Sequence, residues 1–172
     1  KAFLRCAIDI RNVDVAAASK AGVLVTQASA GFVTSVSELV VGFMVDLARG
    51  VNPATHFYHH NRVPPARIGR ELKGSTLGVI GYGAIGKEVV RVAKALGMRV
   101  LINDPYVSNV ETVPLEKLLS ESDFVVPLAV ATAETENLIN EKTLKQMKRG
   151  AYLINVSRGN LVDEDALEAA LK

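Results

Sequence analysis

The chain has 172 residues, enough for one good hydrophobic core or for one domain and a piece of another. Hydrophobic residues make up 49% and charged ones 22%, and 20 basic and 18 acidic side chains are well mixed at a net charge of +2, which leaves no nucleic-acid footprint. Cys6 is the only cysteine, so an internal disulfide and zinc-type cysteine spacing are excluded; a reduced, cytoplasmic setting fits, with Cys6 as a small core residue.

From the start of the chain, residues 4–8 read as a short strand, 13–20 as a helix and 22–26 as another strand. Ser35-Val36-Ser37-Glu38 reads as a capping box opening a helix that runs through Arg49. Val36, Leu39, Val40, Phe43, Met44 and Leu47 give that helix a wide apolar stripe, which belongs in the core or between subunits. The apolar stretch 39–48 is broken by Gly42 and Asp46 and is too short to span a bilayer, and no signal peptide is visible. Asn52-Pro53 marks a break, residues 54–58 resume as helix, and Val63-Pro64-Pro65-Ala66-Arg67 is a loop.

The next segment carries the most chemistry. Residues 76–80 are a buried parallel strand, followed by Gly81-Tyr82-Gly83-Ala84-Ile85-Gly86. An amphipathic helix over 85–96 follows, with Ile85, Val89, Val92, Ala93 and Leu96 on one face and Gly97 as its stop. A second apolar strand over 99–103 then ends on Asp104. A bare G-x-G-x-x-G is weak, but strand, glycine turn, helix, strand and terminal acid in about 30 residues make a dinucleotide-binding fingerprint. Gly81 permits the tight turn, Gly83 lets the backbone approach a pyrophosphate, and Gly86 allows close packing of helix on strand. The N–H groups around Ala84 and Ile85 lie at the positive end of the helix and favour a diphosphate. Asp104, eighteen residues after Gly86, can accept hydrogen bonds from ribose hydroxyls and would repel a 2′-phosphate, so NAD is favoured over NADP.

After Asp104-Pro105 the alternation continues. Residues 114–120 form a helix, 123–128 a third strand, and Asn140 caps a helix to about Met147. Residues 151–156 form a fourth strand, and Asp163 caps a helix through Leu171. This order implies an α/β fold: a Rossmann-type, doubly wound parallel sheet, with four strands here rather than six. The first residue is Lys1 and the last, Lys172, lies in an unfinished helix, so the chain is expected to be a fragment.

At this point the chain resembles the D-isomer-specific 2-hydroxyacid dehydrogenases, a family that includes phosphoglycerate dehydrogenase and glyoxylate/hydroxypyruvate reductase. Ser35-Val36-Ser37-Glu38-Leu39-Val40-Val41-Gly42, ending in Leu47-Ala48-Arg49, looks like the family's interdomain helix. Residues 72–81 look like its lead-in to the glycine loop, and Asn155-Val156-Ser157-Arg158-Gly159 with Val162-Asp163-Glu164 is similar to its most specific signature. The resemblance implies that residues 1–27 are the C-terminal part of a flavodoxin-like substrate domain. Residues 28–172 are then the NAD-binding domain, truncated, with the interdomain helix at 35–49 and the dinucleotide fold at 72–172. It also implies a hydride transfer between nicotinamide and a small 2-hydroxy or 2-keto acid, and a homodimer built around the nucleotide domains.

The resemblance makes Arg158 catalytic and places Val156 and Ser157 beside the cofactor; outside the motif, Arg158 would read as a surface arginine at a strand end. A guanidinium can hold a carboxylate and a 2-keto oxygen and stabilise negative charge developing there. The family's proton-carrying histidine, and the glutamate that tunes it, are expected beyond residue 172. Accordingly, this chain alone is expected to bind NAD at best weakly and not to turn over. His56, His59 and His60 do not match that histidine. Their i, i+3, i+4 spacing would suit a metal, but no carboxylate or cysteine stands close in sequence, and they read as a solvated helix extension. Glu164 and Asp165 read as helix N-terminal charges.

Two stretches depart from the family pattern. Ala7-Ile8-Asp9 stands where a Gly-x-Gly loop usually binds the substrate carboxylate, and Pro127-Leu128-Ala129-Val130 replaces Leu-His-x-Pro beside the cofactor. The alternatives are an NAD(H)-responsive corepressor-like binding module and formate dehydrogenase, which shares the fold and the arginine.

Overall fold

A computed structural model describes residues 1–7, 10, 12–29 and 31–172. Its first part is a small β-α-β unit. Strands β1 (Ala2–Leu4) and β2 (Leu24–Thr26) pair in parallel, joined through helix α1 (Val15–Lys20). Asp14 caps α1 by accepting the Ala17 N–H at 2.8 Å. Strand β1 thus lies earlier than residues 4–8, of which Ile8 and Asp9 fall outside the described residues. Cys6 is exposed, which corrects the expectation of a core thiol: it stands just past the end of β1, and among the described residues nothing covers it.

Helix α2 (Val33–Arg49) starts two residues before Ser35, with Phe32 at its N-cap and no side-chain cap. The expected capping box is therefore absent. Inside a helix a serine hydroxyl bonds back to a carbonyl one turn earlier, and here Ser35 Oγ donates to the Phe32 carbonyl and Ser37 Oγ to that of Val33. Ser37, Val40, Met44 and Ala48 form the buried stripe, and α2 packs along α4. The expected stripe was rotated: Leu39 and Phe43 stay 49% and 42% exposed. Gly50, at φ +69°, ends α2 in the left-handed conformation and starts helix α3 (Val51–His59), which has Pro53 in its first turn. Among the described residues no helix is long and apolar enough to cross a membrane.

The second sheet has strands β3 (Thr76–Ile80), β4 (Arg99–Asn103), β5 (Phe124–Pro127) and β6 (Tyr152–Leu153), all parallel, in the order β4-β3-β5-β6. Helix α4 (Ala84–Ala95) links β3 to β4, and α5 (Leu115–Glu121) links β4 to β5. Helix α6 (Glu141–Gln146) precedes β6, and α7 (Glu164–Leu171) closes the chain. Every residue of β3 is buried, as a central parallel strand with both faces covered requires. Alternation divides the core. Leu77, Val79, Ile102, Phe124 and Val126 face α2 and α4, while Ile80, Leu101 and Val125 pack with Leu118 and Leu119 of α5 on the other side.

The topology locates the candidate site. From β3 the chain moves outward to β4, then crosses back to β5 on the other side of β3. The order reverses between β3 and β5, and in open α/β sheets ligands gather outside the carboxyl ends of the strands at such a reversal.

Candidate active site and cofactor cleft

The carboxyl end of β3 runs straight into the glycine turn. Gly81 has φ +100°, and a side chain there would also press on the Leu128 and Ala129 backbone, its Cβ 2.7 Å from the Ala129 nitrogen. The loop after β5 therefore crosses directly over Gly81, and the Leu128 N–H donates to the Ile80 carbonyl at 2.7 Å. A Cβ on Gly86 would collide with the Gly81 carbonyl oxygen, so α4 leaves the sheet at a distance only glycine allows. Gly83 differs. A Cβ there meets nothing within 4 Å, although φ −73° and ψ −163° suit any residue. The absence of a side chain at Gly83 thus serves neither the turn nor the packing, and it keeps open the space a pyrophosphate would enter.

Gly83 is also the N-cap of α4 and offers no side-chain acceptor, and the first turn of α4 contains no acidic residue. The N–H groups of Ala84, Ile85 and Gly86 thus open the helix with no acidic side chain in its own first turn, which suits a diphosphate. At the end of β4, both carboxylate oxygens of half-buried Asp104 are engaged. Oδ2 accepts the Tyr82 N–H at 2.7 Å and Oδ1 accepts the Tyr106 N–H at 2.9 Å. A carboxylate has about four lone-pair directions, so hydroxyl donors can still be received. Sequence reading gave Asp104 a ligand and missed that it also braces the glycine turn; the signal was its place at the end of the strand beside β3.

Arg158 lies beyond β6 in a turn built by Asn155. The Asn155 carboxamide accepts the Ser157 N–H at 3.0 Å and donates to the Arg158 carbonyl at 2.9 Å. This turn peels the chain off the sheet, which is why β6 pairs only over Tyr152–Leu153 instead of 151–156. Arg158 is exposed and extended (φ −138°, ψ 142°), and its guanidinium donates to the Ser157 carbonyl at 2.9 Å. Val156 is half-buried against the core of the α2/α4 face, and Ser157 is half-buried. A 3-10 turn, Gly159–Leu161, follows, and a parallel bridge pairs Val162 with Ile139.

The structure therefore brings Gly81, Gly83, Ala84, Ile85, Gly86 and Asp104 together around one turn, with Val156, Ser157 and Arg158 at the same edge of the sheet two strands away. Leu128, in place of a histidine, is half-buried against the core, and Val130 is exposed. The three histidines lie elsewhere. All are exposed on or just after α3, which begins near Arg67 and Arg70, residues bonded to Tyr152 and Asp123 at the amino-terminal edge. His60 Nδ1 lies 2.8 Å from the His56 carbonyl oxygen, and the two rings are 4.2 Å apart. Glu164 and Asp165 sit in the first turn of α7, which Asp163 caps.

Comparison with known proteins fits this geometry. Residues 41–172 match the family described as D-isomer specific 2-hydroxyacid dehydrogenase, NAD binding domain. The chain is 38% identical over 176 residues to a D-3-phosphoglycerate dehydrogenase of Synechocystis, covering 98% of this chain and 32% of that protein. It is likewise 38% identical over 178 residues to a glyoxylate reductase of Korarchaeum cryptofilum, covering 96% and 54%. Among solved structures, D-lactate dehydrogenase from Aquifex aeolicus, complexed with NAD and lactic acid, superposes with a TM-score of 0.91 at 32% identity, over 99% of this chain and 54% of that one. The chain thus spans about a third to just over half the length of these relatives. It belongs to the D-isomer specific 2-hydroxyacid dehydrogenase family and carries that family's NAD-binding domain.

Proposed function

We propose that this chain is the cofactor-holding part of an NAD-dependent oxidoreductase that moves a hydride between nicotinamide C4 and the C2 of a small 2-hydroxy or 2-keto acid. Bound NAD supplies the hydride chemistry. The protein's own residues bind and orient. The Gly81–Gly86 turn and the opening N–H groups of α4 receive the diphosphate, and Asp104 accepts a ribose hydroxyl while its charge repels a 2′-phosphate. Val156 and Ser157 line the path between that turn and Arg158. The Arg158 guanidinium, a planar fork of donors, holds the substrate carboxylate and the keto oxygen and stabilises charge developing on that oxygen. Arg158 is the catalytic residue we assign within these residues.

One observation carries the reading: the arginine of the family's Arg-Gly pair stands at the same carboxyl edge as the open glycine turn, beside the reversal of strand order. Titration of the chain with NADH and then NADPH by calorimetry tests it. Saturable, NADH-preferring binding is expected; a folded chain that takes up neither nucleotide would overturn it.

We place residues 1–27, with β1, α1 and β2, in a substrate domain and residues 28–172 in the nucleotide domain. The separate two-stranded sheet supports this division. We also propose a homodimer and a cytoplasmic setting. Leu39 and Phe43 on the outer face of α2, with Phe32 at its start, support the dimer, and the exposed thiol of Cys6 suits a reducing compartment. Sedimentation of Phe43→Asp checks the dimer: a monomer is expected, and an unchanged assembly counts against that face.

A further inference from the structure

One run of hydrogen bonds joins the loops that follow β3, β4 and β5. The Tyr82 and Tyr106 N–H groups both donate to the Asp104 carboxylate, and the Tyr106 hydroxyl donates to Glu134 Oε2 at 3.0 Å. The two ends of this run are held differently. Glu134 stands on a braced turn at residues 132–135. There Thr135 Oγ1 donates to the Val130 carbonyl at 2.7 Å and accepts the Thr132 N–H at 2.8 Å, and the Leu138 N–H returns to the Thr135 carbonyl at 3.2 Å. Asn137 extends the bracing by donating its N–H to the Asn160 carbonyl at 2.8 Å, inside the 3-10 turn next to Arg158.

The loop after β4 is tied at its two ends. The Tyr106 N–H donates to Asp104 Oδ1 at 2.9 Å, and Val113 donates its N–H to the Ile102 carbonyl at 2.8 Å and accepts from Asn103 Nδ2 at 2.9 Å. Val110 packs on the core between them. Among the described residues, Tyr106 carries the only side chain between 105 and 112 that hydrogen-bonds another element. Tyr106 is 83% exposed, so packing does little to hold its side chain, and the bond to Glu134 is what ties that side chain to the turn at 132–135. The bond is of the stronger, charge-assisted kind. Glu134 also pushes the phenol above its ordinary pKa by hydrogen bonding and by charge, with smaller pushes from desolvation and from Asp104.

We propose that Tyr106 and Glu134 are positioning residues for the adenosine end of the dinucleotide, latching the loop after β4 to the rigid turn at 132–135 and so keeping Asp104 aimed at the ribose. This rests on the cofactor reading above. The latch acts through Asp104 and takes no part in the hydride transfer.

The test is a double-mutant cycle on the chain. Tyr106→Phe, Glu134→Ala, the double variant and Glu134→Gln are titrated with NADH and with ADP-ribose, and their melting temperatures are recorded. Each of the first two changes is expected to weaken both ligands about three- to tenfold, the range one hydrogen bond supplies. The double variant is expected to lose no more than the worse single one, because both changes break the same bond. Glu134→Gln keeps an acceptor oxygen but not the charge and is expected to lose clearly less than the Ala variant, about two- to threefold, with melting temperatures unchanged throughout. Unchanged affinities, losses that multiply in the double variant, or a Gln variant as weak as the Ala variant would each overturn the latch. A fall in melting temperature with unaltered affinity would show a structural brace only and would overturn it too. Failure of the unsubstituted chain to bind NADH overturns the cofactor reading itself and the latch with it; binding indifferent to all four variants overturns the latch alone.

Discussion

Asp104 Oδ2 accepts the Tyr82 N–H at 2.7 Å, so the acid expected to meet the ribose also holds the glycine turn. The two roles separate by substitution. Asp104→Asn keeps one acceptor oxygen for a backbone N–H but removes the charge, whereas Asp104→Ala removes both. Hydrogen bonds to a charged group contribute about 1.5–3 kcal/mol, so the Ala variant is expected to bind NADH ten- to a hundredfold more weakly. The Asn variant is expected to lose less NADH affinity and to lose most of its preference over NADPH. Calorimetric titration with both nucleotides measures this. Equal NADH affinity in all three forms would remove Asp104 from the site.

The glycines of the turn make a second test, because their reasons for being glycine differ. A methyl group at Gly83 meets no protein atom within 4 Å, while one at Gly86 meets the Gly81 carbonyl oxygen. Gly83→Ala is expected to melt where the unsubstituted chain does, yet to bind NADH at least tenfold more weakly. Gly86→Ala is expected to lose about 1–3 kcal/mol of stability through overpacking, with binding falling as a consequence. Thermal melts run beside the titrations separate the two. A Gly83→Ala chain with full affinity would mean that the open space beside the turn is not where the diphosphate lies.

Much of this was legible because the central unit obeys local rules. Residues 76–103 carry an unbroken apolar strand, a glycine turn, a helical stripe and a second strand, and β3 and β4 occur where the pattern put them, with α4 shifted by one residue. Asn140 caps α6 as expected, with Thr143 completing a capping box. What the pattern hid was set by tertiary contacts. Ser35 and Ser37 bonded back to carbonyls once the helix had begun at Val33, and the buried stripe of α2 was chosen by α4. The strand at 151–156 was cut short by the Asn155 turn. The Tyr82–Asp104 and Tyr106–Glu134 bonds join loops 22 and 28 residues apart and exist only because β3 lies between β4 and β5. No single stretch of sequence states that order.

Ser122 offers a test of the core. It is fully buried under the face of β3 where Gly78 stands, and its Oγ has no hydrogen-bond partner. A buried hydroxyl left unpaired costs about 1–3 kcal/mol of desolvation. Ser122→Ala removes that cost at the expense of a small loss of packing, so a gain of roughly 0.5–1 kcal/mol is expected. Urea unfolding gives the value, and a clear loss of stability would show that the hydroxyl is satisfied in solution.

Asp123 is the contrasting case, a buried carboxylate with every partner supplied. At the amino-terminal edge of the sheet, away from the cofactor turn, its Oδ2 accepts the Thr76 N–H at 2.8 Å. Its Oδ1 accepts from Lys148 Nζ at 2.6 Å and from the Arg70 guanidinium at 3.1 Å. Burial pushes its pKa upward, but the hydrogen bonds from Lys148 and Thr76 and the charges of Arg70 and Lys148 outweigh that and hold it below the ordinary carboxylate value. A carboxylate whose pKa is lower folded than unfolded stabilises the fold above its unfolded pKa of about 3.9 and loses that contribution as pH falls through the lowered folded value. Stability is therefore expected to hold through neutral pH and to decline below about pH 4, with Asp123 a contributor. Asp123→Asn leaves two cations without their anion, and a loss of about 2–4 kcal/mol at pH 7 is expected, somewhat under that of a fully buried pair because Arg70 and Lys148 are partly exposed. The decisive measurement is urea unfolding at pH 7 and pH 3. The gap between Asp123→Asn and the unsubstituted chain should narrow in acid, as the pH falls below the unfolded carboxylate value of about 3.9 towards the lowered native one. A gap that stays constant would mean Asp123 acts through its hydrogen-bond geometry and not through its charge.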